Sequence, residues 1–183
     1  AIVANYLTEL GLEVKTNIGG YGVVGILKGK KKGKRIIWRA DMDAATFEFG
    51  KHDNHELAHV CGHDVNTTIG LGIAKTLSRD IDTLAGTVYF LFQPAEESQK
   101  GARAMIEDGL FDMVQADEIY ASHLAPLPTG AITSLAGNLF SHSRYIQLEF
   151  AGTNDAQPLA EQINTMMSSL TRVTSPEKFV DLL

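Results

Sequence analysis

Residues Gly86 to Gln93, Gly-Thr-Val-Tyr-Phe-Leu-Phe-Gln, form an unbroken apolar run that stops at Pro94. A strand wetted on one face alternates apolar with polar residues. One without alternation needs cover on both faces, so this run reads as a central strand between two layers of helix. Its surroundings agree. Helical spacing links Ile69, Ile73, Ala74 and Leu77 as a buried stripe, with Asn66 or Thr67 available as N-cap, and a shorter helix is predicted from Gly101 to Asp108. Extended runs lie at Tyr21 to Leu27, Arg35 to Ala40 and Glu118 to His123. Strands alternating with helices predict an α/β fold, a mostly parallel sheet sandwiched by helices.

A chain of 183 residues, 44% of them hydrophobic and 21% charged, has the material for one sizeable core and part of a second domain. The net charge of -6 argues against nucleic acid or an anionic membrane as partner. The one basic run, Lys28 to Arg35, is broken by Gly29 and Gly33 and reads as a solvated hairpin tip. No apolar window approaches the roughly twenty residues that span a bilayer, and no charged-then-apolar leader is expected. With Cys61 the only cysteine, an intrachain disulfide is impossible, which fits a reducing, cytoplasmic setting. Ile2, Val3, Tyr6, Leu7 and Leu10 share a helical face closed by Gly11, so the chain is expected to begin inside a domain. The segment 44–56 has no clean period and is expected to be a surface loop carrying His52 and His55. Beyond Pro128 the pattern predicts a short strand near Ala131 to Leu135, a half-exposed strand at Arg144 to Ala151, and a helix at Leu159 to Leu170. A last helix opens at Ser175-Pro176-Glu177. These breaks divide the chain into residues 1–137, 138–170 and 171–183.

In sheets of this kind ligands gather beyond the carboxyl ends of strands, where Asp41, Asp43, Glu96, Glu97 and His123 all stand. Cys61 and His63, two apart in His59-Val60-Cys61-Gly62-His63-Asp64, can converge on one ion if the backbone between them is extended, with Gly62 permitting a bend. Asp64 is placed to orient an imidazole or anchor the helix start. Zn²⁺ and its neighbours accept thiolate, imidazole and carboxylate together, whereas Mg²⁺ and Ca²⁺ prefer oxygen. The adjacent Glu96 and Glu97 can divide two tasks: one holds metal while the other takes a proton from metal-bound water. Blander readings stay open, with Cys61 as core filler, the glutamates as a helix start favoured by the macrodipole, and His123 as a hydrogen-bonded core histidine. A cysteine nucleophile with His63, His59 or His123 as base is a further alternative, but it leaves the paired glutamates without a task. Gly19-Gly20-Tyr21-Gly22 matches no nucleotide-binding spacing and reads as a turn.

Four stretches in this order, Arg39-Ala40-Asp41-Met42-Asp43-Ala44, His59 to Asp64, Gly86 through Glu97, and Gly101-Ala102 with His123 and Pro126, resemble the aminoacylase-type metal-dependent amidohydrolases. That family includes hippurate hydrolases, auxin-conjugate hydrolases and N-acetyl-diaminopimelate deacetylases. The resemblance implies a zinc-peptidase-like catalytic domain over residues 1–137 and the start or remnant of an α+β lid and dimerisation domain over 138–170. Residues 171–183 would be a possible return to the catalytic domain. It implies two divalent transition-metal ions, Zn, Mn, Co or Ni, and hydrolysis of the amide bond of N-acyl amino acids, with a homodimer formed where the lid is present. By motif position Cys61, His63, Glu97 and His123 would bind metal, Glu96 would be the general base, and Asp43 and Asp64 would orient ligands. His52, His55 and His142 match none of its motifs. Two departures stand out: Ala44-Ala45-Thr46 replaces Ala-Leu-Pro, and Gly152 to Pro158 keeps the frame of a Gly-Gly-His-Ala lid motif without its histidine. Family members also draw one more histidine ligand from a later segment, and no histidine follows His142. A metal-binding or oligomerising remnant of the fold is therefore the alternative to an active hydrolase.

Overall fold

The computed structural model describes residues 1–48, 55–125, 127–134, 158, 161–163 and 165. Two compact units result, Ala1–Ala131 and Ile132–Leu183, and every candidate site residue lies in the first. In order, that first unit contains α1 (Ile2–Glu9), β1 (Glu13–Ile18), β2 (Gly22–Lys28), β3 (Lys31–Asp41), β4 (Ala45–Glu48) and β5 (His55–Ala58). After these come α2 (His63–Arg79), β6 (Ala85–Gln93), α3 (Gly101–Glu107), α4 (Leu110–Met113) and β7 (Glu118–Ala121).

The main sheet runs β1-β2-β6-β3-β7, with the apolar strand β6 at its centre as expected. Its side chains alternate between two cores. Val88, Phe90 and Phe92 join Leu7, Val23, Leu27, Ala40 and Ala74 beneath α1 and α2. On the other face Tyr89 and Leu91 pack against Val24, Ile26, Ile37, Met105 and Leu110 near α3 and α4. Phe90 and Phe92 are at most 1% exposed, and burial of such a ring contributes about 1.5–3 kcal/mol. No helix among the described residues is long and apolar enough to cross a membrane.

The helix-sandwiched α/β architecture is present, and the parallel pairing expected for it holds for β6, β3 and β7. The other half, β1 and β2, is antiparallel and makes the sheet mixed. Lys28 to Arg35 is not a hairpin tip, because β2 and β3 do not pair with each other. Strand β6 lies between them, and the connection arches across its first residues. Glycine permits that approach, since a Cβ on Gly29 would strike the Leu84 carbonyl oxygen and one on Gly33 would lie 2.6 Å from the Ala85 carbonyl carbon.

Helix α2 starts at His63, three residues before the expected cap at Asn66. Its buried line is His63, Asn66, Gly70 and Ala74, polar at the site end and small where it meets Phe92. Of the predicted stripe, Ala74 is buried and Ile73 and Leu77 pack against the core, whereas Ile69 is exposed because the polar His63 and Asn66 take the buried positions of the first turns. The expected loop over 44–56 is a strand at its described ends, because β4 and β5 form a separate two-stranded ladder pairing Ala45 with Ala58 and Thr46 with Leu57. Leu57 is 76% exposed, so its apolar side chain marks no core face here. The strand expected near Ala131 is absent over 131–134. His52, His142, the predicted strand at Arg144 and the last helix lie outside the described residues. Of the predicted helix at Leu159 to Leu170, residues 161–163 and 165 are described and helical.

Strand β7 is fastened to β3 by a reciprocal clasp. The Arg35 amide donates to Asp117 Oδ2 at 2.8 Å, its guanidinium donates to Oδ1 at 2.9 Å, and the Asp117 amide returns a bond to the Arg35 carbonyl. Hydrogen bonds from the Arg35 side chain and amide hold the Asp117 carboxyl down to about 2. Because the folded value lies below the unfolded one, the clasp contributes fully above the ordinary carboxylate range and is lost as pH falls toward that value. Asp117→Asn is expected to lower the urea midpoint at neutral pH, with the gap to the parent closing near pH 2. A gap constant across pH would show that the charge is not what acts.

Candidate metal centre

Parallel pairing sets Asp41, the end of β3, beside Gln93, the end of β6. Arg39 pairs with Ala121 of β7, so His123 follows its strand to the same level as Asp41. The turn at Gly62 delivers Cys61 and His63 to this edge from the third side. Its backbone is not extended: Gly62 adopts a left-handed φ of 75° as N-cap of α2, and a Cβ there would lie 2.5 Å from Leu124 Cδ1. Glycine is therefore favoured by φ, and any larger residue would also have to displace the Leu124 side chain.

His63 is the pivot. The residue is 1% exposed, and its Nδ1 lies 2.9 Å from the Asp43 carbonyl oxygen, which can only accept. In the neutral ring the proton is thus on Nδ1 and the lone pair on Nε2. That Nε2 is buried without a hydrogen-bond partner. Around it stand Glu96 Oε2 at 3.6 Å, Asp41 Oδ2 at 3.8 Å and Glu97 Oε1 at 4.0 Å, with the His123 ring perpendicular at 5.5 Å between centroids. These separations are too long for hydrogen bonds. They approach the spacing of about 3.4 Å expected between two ligands of one tetrahedral ion bound at about 2.0–2.1 Å. An orphaned imidazole lone pair facing carboxylates and a thiol fits a divalent transition metal. Two donor triads lie within 4.8 Å internally, Cys61–His63–Glu97 and Asp41–His63–His123.

The four expected ligands are therefore not one cluster. Cys61 and Glu97 stand together with His63, while His123 groups with His63 and Asp41. His123 Nδ1 lies 2.7 Å from the Leu124 carbonyl oxygen, which leaves its Nε2 free. The Cys61 thiol is pushed up to about 11 by its hydrogen bond to Glu97, by burial, and by the charges of Glu97, Glu96 and Asp41. A thiol held there is a poor nucleophile at neutral pH, and the same acidic surroundings favour a cation.

Asp43 organises the other wall. Its Oδ1 accepts the Glu96 amide at 3.0 Å and its Oδ2 the Glu97 amide at 3.1 Å. Burial raises this carboxyl, but the two amide donors and the His63 ring outweigh it and leave it below its usual value. The turn it grips contains Ala95 at a left-handed φ of 51°. Gly101 closes the turn by donating to the Ala95 carbonyl at 3.0 Å, and it sits where any Cβ would collide with the Pro94 carbonyl oxygen. Asp64 plays no such part. It is exposed in the first turn of α2, favourable to the helix dipole, and among the described contacts its carboxylate meets no imidazole. The His63 ring is held by the Asp43 carbonyl. His59 is exposed, and its carbonyl accepts the Gly62 amide.

Asp41 has partners that the sequence reading does not assign to it. Asp41, 0% exposed, accepts from Arg39 at 2.6 Å and from Asn66 Nδ2 at 2.8 Å, and its carbonyl accepts from Thr67 Oγ1 at 2.7 Å. The signal was present: an arginine and an aspartate two apart share one face of a buried strand and must answer each other.

Residues 37–179 match the family model described as peptidase family M20/M25/M40. An N-acetyldiaminopimelate deacetylase of Enterococcus faecalis is 34% identical over 158 residues, covering 83% of this chain and 41% of that protein. A hippurate hydrolase of Campylobacter jejuni is 42% identical over 130 residues, covering 68% of this chain and 33% of that protein. Among solved structures, the Bacillus subtilis YXEP protein, described as a dinuclear metal binding peptidase from the M20 family, superposes with a TM-score of 0.56 at 32% identity. The match covers 68% of this chain and 36% of that one. The chain thus spans about two fifths or less of the length of these relatives. With the family model matched across well over half of its residues, site edge included, the chain belongs to peptidase family M20/M25/M40.

Proposed function

We propose that this chain carries the site of a metal-dependent amidohydrolase that cleaves the amide bond of N-acyl amino acids. The observation that carries the reading is the buried, unpartnered Nε2 of His63 ringed by Cys61, Glu97 and Glu96. Two relatives support the substrate class, since N-acetyldiaminopimelate and hippurate both denote N-acylated amino acids. The dinuclear relative supports two ions. Cys61, His63, Glu97 and His123 would hold them, with Zn, Mn, Co or Ni all suited to such mixed donors. A bound divalent ion would lower the pKa of water and polarise the scissile carbonyl. Glu96 then accepts the proton of the attacking water and passes it to the departing amine as the C–N bond breaks. Asp43 holds the amides of both glutamates and, through its carbonyl, the tautomer of His63. Asp64 serves the helix start.

The test is metal analysis of the full chain together with hydrolysis of N-acetyl amino acids before and after chelation. Chelation is expected to stop turnover and added Zn²⁺ or Mn²⁺ to restore it. Turnover that survives chelation but not thiol alkylation would replace this reading with a cysteine nucleophile. Stoichiometric metal without turnover would favour a metal-binding remnant.

A further inference from the structure

Three carboxylates stand almost equally far from the free Nε2 of His63, at 3.6 Å for Glu96, 3.8 Å for Asp41 and 4.0 Å for Glu97. Distance does not choose among them. His63 has spent Nδ1 on the Asp43 carbonyl and has one lone pair left, so it can serve one ion and not both donor triads. What separates the triads is Arg39. Its guanidinium donates to Asp41 Oδ2 at 2.6 Å, the oxygen that faces Nε2, while its Nε is anchored to Gln93 Oε1 at 2.9 Å. Asn66 occupies the other Asp41 oxygen at 2.8 Å. The carboxylate is wholly buried and held from both sides, and a guanidinium against its inner oxygen opposes the approach of a second cation.

Resting on the metal reading above, we propose that Arg39 is a specificity-determining residue of the centre. By holding Asp41 Oδ2 it keeps that carboxylate out of coordination and assigns His63 to the sulfur-containing triad. The consequence is chemical selectivity. A thiolate and imidazole set favours Zn²⁺ and Co²⁺, whereas an added carboxylate moves the site toward Mn²⁺.

Cobalt substitution of the full chain reads this directly. The parent is expected to show a sulfur-to-cobalt charge-transfer band and the strong d–d absorption of a low coordination number. In Arg39→Met, Asp41 is released as an extra oxygen donor. Its d–d absorption per cobalt should fall severalfold, and uptake of Mn²⁺ relative to Zn²⁺ should rise by about tenfold, within the range over which outer partners alter metal affinity. Adding Asp41→Asn to that variant should return both readouts to parental values. Should Arg39→Met not fold, Asp41→Asn with Arg39 retained decides, because a non-ligand aspartate predicts an unchanged cobalt spectrum. A loaded Arg39→Met with the parental spectrum and metal preference overturns the proposal, as does an altered spectrum in Asp41→Asn alone. A parent chain that takes up no cobalt overturns the metal reading itself.

Discussion

Glu96→Gln is expected to reduce kcat for N-acetyl amino acid hydrolysis by about a hundredfold to ten-thousandfold while leaving the metal content unchanged. At about 1.36 kcal/mol per factor of ten, that is a loss of about 3–5 kcal/mol of transition-state stabilisation. The amide oxygen of glutamine cannot take a proton at neutral pH, so the transfer from water to amine loses its carrier. The scaffold is spared, because Asp43 grips residue 96 through its backbone amide and not through its side chain. Metal retention is the informative half of this experiment. Glu96 Oε2 lies nearer to His63 Nε2 than Glu97 Oε1 does, 3.6 Å against 4.0 Å, and proximity alone would nominate it as the ligand. Grouping favours Glu97, which stands with both Cys61 and His63 and accepts the hydrogen bond of the thiol. Should metal and turnover disappear together, the two glutamates have exchanged roles. Undiminished turnover would remove Glu96 from the chemistry.

Much of this arrangement could be read before any coordinates existed, and the reason is local. An apolar run such as β6 needs cover on both faces wherever it sits, so the sandwich followed from that run and the helical spacing on either side of it. The ends of parallel strands carry the ligand groups for the same topological reason. What escaped was set by contacts across the sequence. Nothing in Lys28 to Arg35 says that β6 will pass between the two strands this stretch connects. The start of α2 was misplaced because its first buried positions, His63 and Asn66, are polar and owe their burial to Asp41 and Asp43. The bond that orients the His63 ring comes from a carbonyl twenty residues earlier, a separation no local motif shows. The Arg39–Asp41 pair was legible from its spacing of two on a strand, but its link to Asn66 depended on packing of β3 against α2.

Asp43→Asn is expected to cost about tenfold to a hundredfold in turnover, although residue 43 would touch neither substrate nor ion. The carboxylate uses both oxygens as acceptors, one for the Glu96 amide at 3.0 Å and one for the Glu97 amide at 3.1 Å. Asparagine can supply one acceptor, but its NH₂ then faces an N–H and repels it. Hydrogen bonds to a charged acceptor contribute about 1.5–3 kcal/mol each, and a left-handed alanine costs about 1–2 kcal/mol. The turn through Ala95 therefore depends on the clamp to stay folded back, and without it both glutamates shift together. His63 should keep its orientation, because its bond goes to the carbonyl of residue 43, which the substitution preserves. Lower kcat, unaltered metal stoichiometry and partial recovery on adding Ala95→Gly, which removes the left-handed penalty, would together identify Asp43 as a positioning residue for the glutamate pair. Loss of the ion in Asp43→Asn would place its carboxylate in the service of His63 or the metal instead. Full activity would show that the closing bond from Gly101 holds the turn unaided.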